Sequence, residues 1–158
     1  MSLLRAASCL RAGQWSGTAF DIAVLDHQER HVRRRVLRLA HEDEVLVDFP
    51  SAVQLQHGDA LLLEDGRLAE VISAEEDLYE VTAHSAAELS GLAWHIGNRH
   101  LAAQIEESRI LILRDHVIKA MLEGLGAHVR EVSEPFHPMR GAYGAHNHSH
   151  GHGHAHEA

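Results

Sequence analysis

The dipeptide Asp65-Gly66, set between the apolar runs 60–63 and 67–73, most constrains what the amino-terminal half of this 158-residue chain can become. Asp-Gly between two apolar runs supplies the positive-φ positions of a tight hairpin, so the two runs pair as antiparallel strands. Runs 20–26, 34–39 and 45–49 are also short, and His41-Glu42-Asp43, Pro50 and His57-Gly58-Asp59 punctuate them as turns. No helical period interrupts the series. The expectation is a small all-β domain over residues 1–74, with the acidic run Glu75-Glu76-Asp77 as the linker.

The second half alternates. Residues 78–83 read as a strand, and Ser85-Ala86-Ala87-Glu88 is a capping box, Ser closing one amide and Glu reaching back to another. Leu89, Leu92, Ala93 and Ile96 then fall on one helical face. Gly97-Asn98 supplies residues that tolerate φ > 0 at the helix end. Residues 103–107 and 109–113 read as strands, and Asp115 caps a second helix with Ile118, Met121, Leu122 and Leu125 inward. Gly124 and Gly126 end that helix, and 127–133 is a last strand. The order βαββαβ is that of a ferredoxin-like domain, placed over 75–143. The fold class is therefore α+β. Beyond Gly144 no apolar residue exceeds Ala, so residues 144–158 have nothing to bury and are expected to be disordered.

That tail holds the densest chemistry. Of 16 histidines, His146, His148, His150, His152, His154 and His156 occupy every second position. Neutral imidazole suits Ni²⁺, Zn²⁺ and Cu²⁺. Along an extended chain, alternate side chains share a face about 6.6–7 Å apart, too far to chelate one ion rigidly. The spacers are Asn, Ser, Gly, Gly and Ala, so the tail curls and offers interchangeable ligand sets. A purification tag or solubility tail is the other reading, but tags are contiguous histidine. Elsewhere, His100 follows a helix stop and reads locally as an exposed surface residue. His116 opens the second helix, where the positive end of the dipole keeps the imidazole neutral and able to ligate but mildly opposes a bound cation, so local reasoning leaves its role open. His84 and Glu88 share i, i+4 spacing, but His84 precedes the cap.

Composition narrows the classes. With 14 Lys and Arg against 23 Asp and Glu the net charge is -9, which argues against a nucleic-acid binder. Arg33-Arg34-Arg35 is a local exception, read as the solvated face of a strand. Cys9 is the one cysteine, so neither an intrachain disulfide nor a thiolate zinc site exists. No apolar run approaches a membrane span and none resembles a signal peptide, so a cytoplasmic protein is expected. His-Glu-x-x-His, phosphate-loop and Gly-x-Ser-x-Gly signatures are absent from the sequence, so no enzyme is expected.

Trp94-His95-Ile96-Gly97-Asn98-Arg99-His100 closely resembles the Gly-Asn-Arg-His block of the UreE-type urease accessory proteins, the nickel metallochaperones. Asp115-His116-Val117 with Met121-Leu122-Glu123-Gly124-Leu125-Gly126 resembles that family's second-helix block. Pro135-Phe136, Gly141-Ala142-Tyr143 and the His-rich terminus match its carboxyl-terminal segment, and Leu63-Glu64-Asp65-Gly66 its amino-terminal domain. The resemblance implies a peptide-binding-like β domain, then a ferredoxin-like domain that forms a homodimer and holds Ni²⁺ between His100 of both copies. It implies a second metal-binding histidine at His116 and a tail that adds capacity. The implied partners are urease apoprotein and an accessory complex containing a GTPase, with no nucleic acid and no membrane. Arg114 departs from members that carry a further histidine there, and His137 and Met139 from those with acidic residues. A general cytoplasmic Ni/Zn/Cu buffer is the alternative function.

Overall fold

The computed structural model describes residues 3–139. The six tail histidines and the disorder expected of the tail lie outside the described residues. Two sheets follow one another along the chain. The first is built from β1 (Leu3–Leu10), β2 (Asp21–Leu25), β3 (His31–Arg38), β4 (Glu44–Gln54), β5 (Ala60–Leu63) and β6 (Leu68–Ser73), in the order β2-β6-β5-β1-β4-β3. β6 alternates half-buried and buried along its whole length, the period-2 signature of a strand with one face on a core. The edge strands β2 and β3 send Ala23, Leu25, Val32 and Leu37 into the same cluster as Ala6, Val45, Val47, Phe49, Leu61 and Val71. Strands from opposite edges meeting in one core require the sheet to curl over on itself.

Three expectations from the sequence are corrected here. β1 was not foreseen, yet it lies inside the sheet, parallel to β4 and antiparallel to β5. Of its eight residues only Ala6 is buried, so it leaves no hydrophobic alternation to read. Pro50 is no turn but an interior residue of β4. The register passes from Arg34↔Asp48 to Val32↔Val53, so four residues of β4 oppose Arg33 alone, and Pro50 sits in that bulge, where its missing N–H breaks no ladder. The acidic run Glu75-Glu76-Asp77 is not a linker: it begins β7 (Glu75–Thr82), directly after β6.

The Asp65-Gly66 turn is as expected. Leu63 N–H bonds to Arg67 O, Gly66 N–H to Leu63 O, and Gly66 has φ +89°. A side chain there meets open space, so only the backbone conformation opposes substitution. Gly66→Ala is expected to lower stability by about 1–2 kcal/mol in urea unfolding.

The second sheet contains β7, β8 (Ala103–Ile105), β9 (Ile110–Leu113) and β10 (His128–Pro135), in the order β10-β7-β9-β8 with every neighbouring pair antiparallel. With α1 (Ala86–Asn98) after β7 and α2 (His116–Gly124) after β9, this is the ferredoxin-like arrangement. Leu89, Leu92 and Ile96 of α1 and Leu122 of α2 pack on Tyr79, Val81, Ile110 and Ile112. On the opposite face Phe136 packs with Val132 against Leu78 and Leu111, beside ion pairs from Arg109 to Glu80, Glu106 and Glu134.

The two sheets are joined at that face. Arg30, 1 % exposed, donates from its guanidinium to Leu25 O and to Phe136 O. His27 meets the Glu76 carboxylate through its ring Nδ1 (2.7 Å) and its backbone N–H (2.9 Å), and sets its ring edge against Phe136.

Candidate metal centre

His100 owes its position to how α1 ends. Ser85 accepts from Glu88 N–H at the start of the helix, and Glu88 accepts from His84 N–H. At the other end the helix runs through Gly97 and Asn98, the residues expected to carry the left-handed turn, and Arg99 caps it. The positive φ, +58°, falls instead on His100. His100 N–H bonds to Gly97 O (3.0 Å) and Leu101 N–H to Ile96 O (3.4 Å), the paired bonds of a Schellman motif. Leu101 supplies its hydrophobic contact by packing on the domain core. Glycine is the usual residue at this place, because a side chain in the left-handed region costs about 1–2 kcal/mol. A histidine held there is an outlier that points to function.

His100 lines an open concavity of about 510 Å³ together with Ala93, Gly97, Ala102, Ile105 and Met139. Its walls are small or apolar, and Trp94, Ile105 and Met139 are exposed at 64 %, 45 % and 64 %. Met139 N–H bonds to Ala103 O (2.7 Å), which holds the last described residue at the rim of the same concavity.

His116 is the first residue of α2, after Asp115, whose carboxylate accepts from Val117 and Ile118 N–H. Both His116 and Val117 are exposed. Arg114 bonds to Leu78 O and Val132 O and lies near Asp77 and Glu131, so it fastens the sheet. Among the described residues no three His, Cys, Asp or Glu side chains converge to hold a metal. His146, His148, His150, His152, His154 and His156 are outside the described residues.

Two other groups meet conditions that oppose a bound cation. Burial pushes the Cys9 thiol up, with Arg11 opposing and Asp59 reinforcing, which disfavours thiolate. His137 and His57 line a cavity of about 400 Å³ with Gln54, Gln56 and Arg30. Burial holds His137 below the ordinary imidazole range, helped by Arg30 and His57 and opposed by Glu76. Arg30's fixed charge opposes a cation in that cavity.

The sequence matches the UreE urease accessory protein N-terminal domain over residues 3–74 and its C-terminal domain over 76–158. The chain belongs to the UreE urease accessory protein family. The urease accessory protein UreE of Mesorhizobium japonicum is 61 % identical over 145 residues, covering 90 % of this chain and 74 % of the relative. That of Agrobacterium fabrum is 54 % identical over 144 residues, covering 91 % and 89 %. Membership in the UreE family carries a role in urease maturation. No helix among the described residues is long and apolar enough to cross a membrane.

Proposed function

We propose that this chain is a cytoplasmic nickel metallochaperone that delivers Ni²⁺ to apo-urease, acting by ligand exchange without catalytic turnover. The observation that carries the reading is His100, an exposed imidazole on a left-handed turn at the edge of an apolar, small-residue concavity. One imidazole is too few to hold an ion, and a second copy across a two-fold axis supplies its own His100 at the same point. Ala93, Gly97 and Ala102 leave room for that approach, and Trp94 and Ile105 give the homodimer apolar surface to bury.

The tail completes the set. Met139, the last described residue before it in sequence, lines the same concavity. Seven residues from Met139 to His146 span at most about 25 Å when extended, so His146–His156 imidazoles reach an ion on His100. His116 is an auxiliary surface ligand. The nickel passes to a urease assembly complex that includes a GTPase. Zn²⁺ and Cu²⁺ compete in vitro, Cu²⁺ more tightly by the Irving–Williams order.

A nickel titration tests this. At pH 7.5 one tightly held ion per two chains is expected, with weaker ions on the tail, and His100→Ala removes the tight one. Since only neutral imidazole ligates, capacity falls on acidification. Unchanged tight binding in His100→Ala, or unchanged capacity at about pH 5, would sink the reading.

A further inference from the structure

We propose a second divalent-cation site on the ferredoxin-like domain, formed by His84 and His128 at the corner where β7 ends and β10 begins. These residues are 44 positions apart, and the sheet register brings them together. His128 pairs with Thr82 across β10 and β7, and His84 follows two residues on, just before the cap of α1. Their rings are in T-shaped contact with centroids 5.1 Å apart and planes at 81°. Both residues are exposed, so a hydrated ion has access.

The spacing is that of a chelate. With metal–nitrogen bonds of about 2.0–2.1 Å, two imidazoles bound cis to one ion hold their ring centroids about 4.5–5.2 Å apart. In the T-shaped contact one ring presents its edge to the face of the other. Rotation about χ2, which is soft for imidazole, turns both nitrogen edges to one point without moving the backbone. The positive end of α1 faces this corner and opposes a cation. Glu88, in the first turn with its carboxylate on His84 N–H at 3.3 Å, offsets it. Because no third His, Cys, Asp or Glu completes a cluster among the described residues, water fills the remaining positions. Such a site is open and exchangeable, and takes the ions that imidazole favours: Ni²⁺, Zn²⁺ and Cu²⁺. It stands independently of the nickel-delivery reading.

Zn²⁺ serves as a diamagnetic probe in ring ¹H–¹⁵N spectra of the full chain. The His84 and His128 ring signals are expected to move together as Zn²⁺ is added. In His84→Ala the Zn²⁺ needed to move His128 rises at least about tenfold, and His128→Ala does the same to His84, because each loses its chelate partner. Both side chains are exposed and the His84 N–H remains in the alanine variant, so the amide spectra of both variants stay those of the wild type. Rings that ignore Zn²⁺ up to millimolar concentration, or that move independently of one another, overturn the site. His100 and the tail report in the same spectra, so this site and the nickel site fail separately.

Discussion

Replacing His100 by Gly is expected to abolish nickel-dependent activation of urease while leaving the fold intact. The two effects separate because of the backbone. His100 sits at φ +58°, where a side chain costs about 1–2 kcal/mol and glycine costs nothing. Glycine loses about 0.5–1 kcal/mol more chain entropy on folding, so the net change lies between about 0 and 1.5 kcal/mol in favour of the variant. On the proposed reading the variant lacks one ligand from each copy, and urease activity at limiting nickel should fall at least about tenfold. His100→Asn is a second probe, since Asn also tolerates this conformation. The measurement restores wild type, His100→Gly, His100→Asn or a chain ending at Ala145 to a host lacking its own accessory chain. Wild-type urease activity with His100→Gly would remove His100 from the mechanism. Truncation should hurt less than His100→Gly, because the tail adds capacity and local ligand concentration.

Arg30→Ala is expected to have the largest effect on stability, about 2–4 kcal/mol in urea unfolding. The guanidinium is buried and spans the two sheets, from Leu25 O in the first domain to Phe136 O against the second. Leu25 O keeps a second donor in Ala74 N–H, whereas no other donor to Phe136 O is seen among the described residues. Leaving that carbonyl buried and unpaired costs about 1–3 kcal/mol, and the lost packing adds the remainder. Arg30→Met should cost less than Arg30→Ala, since it retains the volume and removes a charge whose Nε has no partner. With the bolt gone, the His27–Glu76 pair and the Phe136 contact still bridge the halves but more weakly, so the unfolding curve of Arg30→Ala should split in two. A single transition at the wild-type midpoint would mean that the domains are coupled elsewhere.

The sequence was most legible where local chemistry and tertiary packing agree. Ser85 and Asp115 cap the helices they were expected to cap, and Leu89, Leu92, Ile96 and Leu122 face the core. It was least legible where backbone pairing alone does the work. β1 carries Ala, Ser and Arg in the middle of a sheet, and its place depends on partners some 40 to 60 residues away. Pro50 misled because a bulge satisfies a strand proline as well as a turn does. At the site, local rules placed the left-handed residue on Gly97 or Asn98. The helix ran two residues further and set it on His100, which the family resemblance alone had singled out. The His84–His128 contact was beyond reach, since it exists only once the register of β10 against β7 is set. Arg30, in a run of polar residues at a turn, gave no sign of burial.

The interior place of β1 also bears on how the protein is made. Leu3–Leu10 leaves the ribosome before the other strands of its sheet, but its neighbours are β4 and β5, which end at Gln54 and Leu63. At roughly 5–20 residues per second, several seconds separate the strand from its partners. Through that interval the first domain cannot close. Nascent chains should therefore acquire protease resistance abruptly, once β5 and β6 have cleared the exit tunnel, rather than strand by strand.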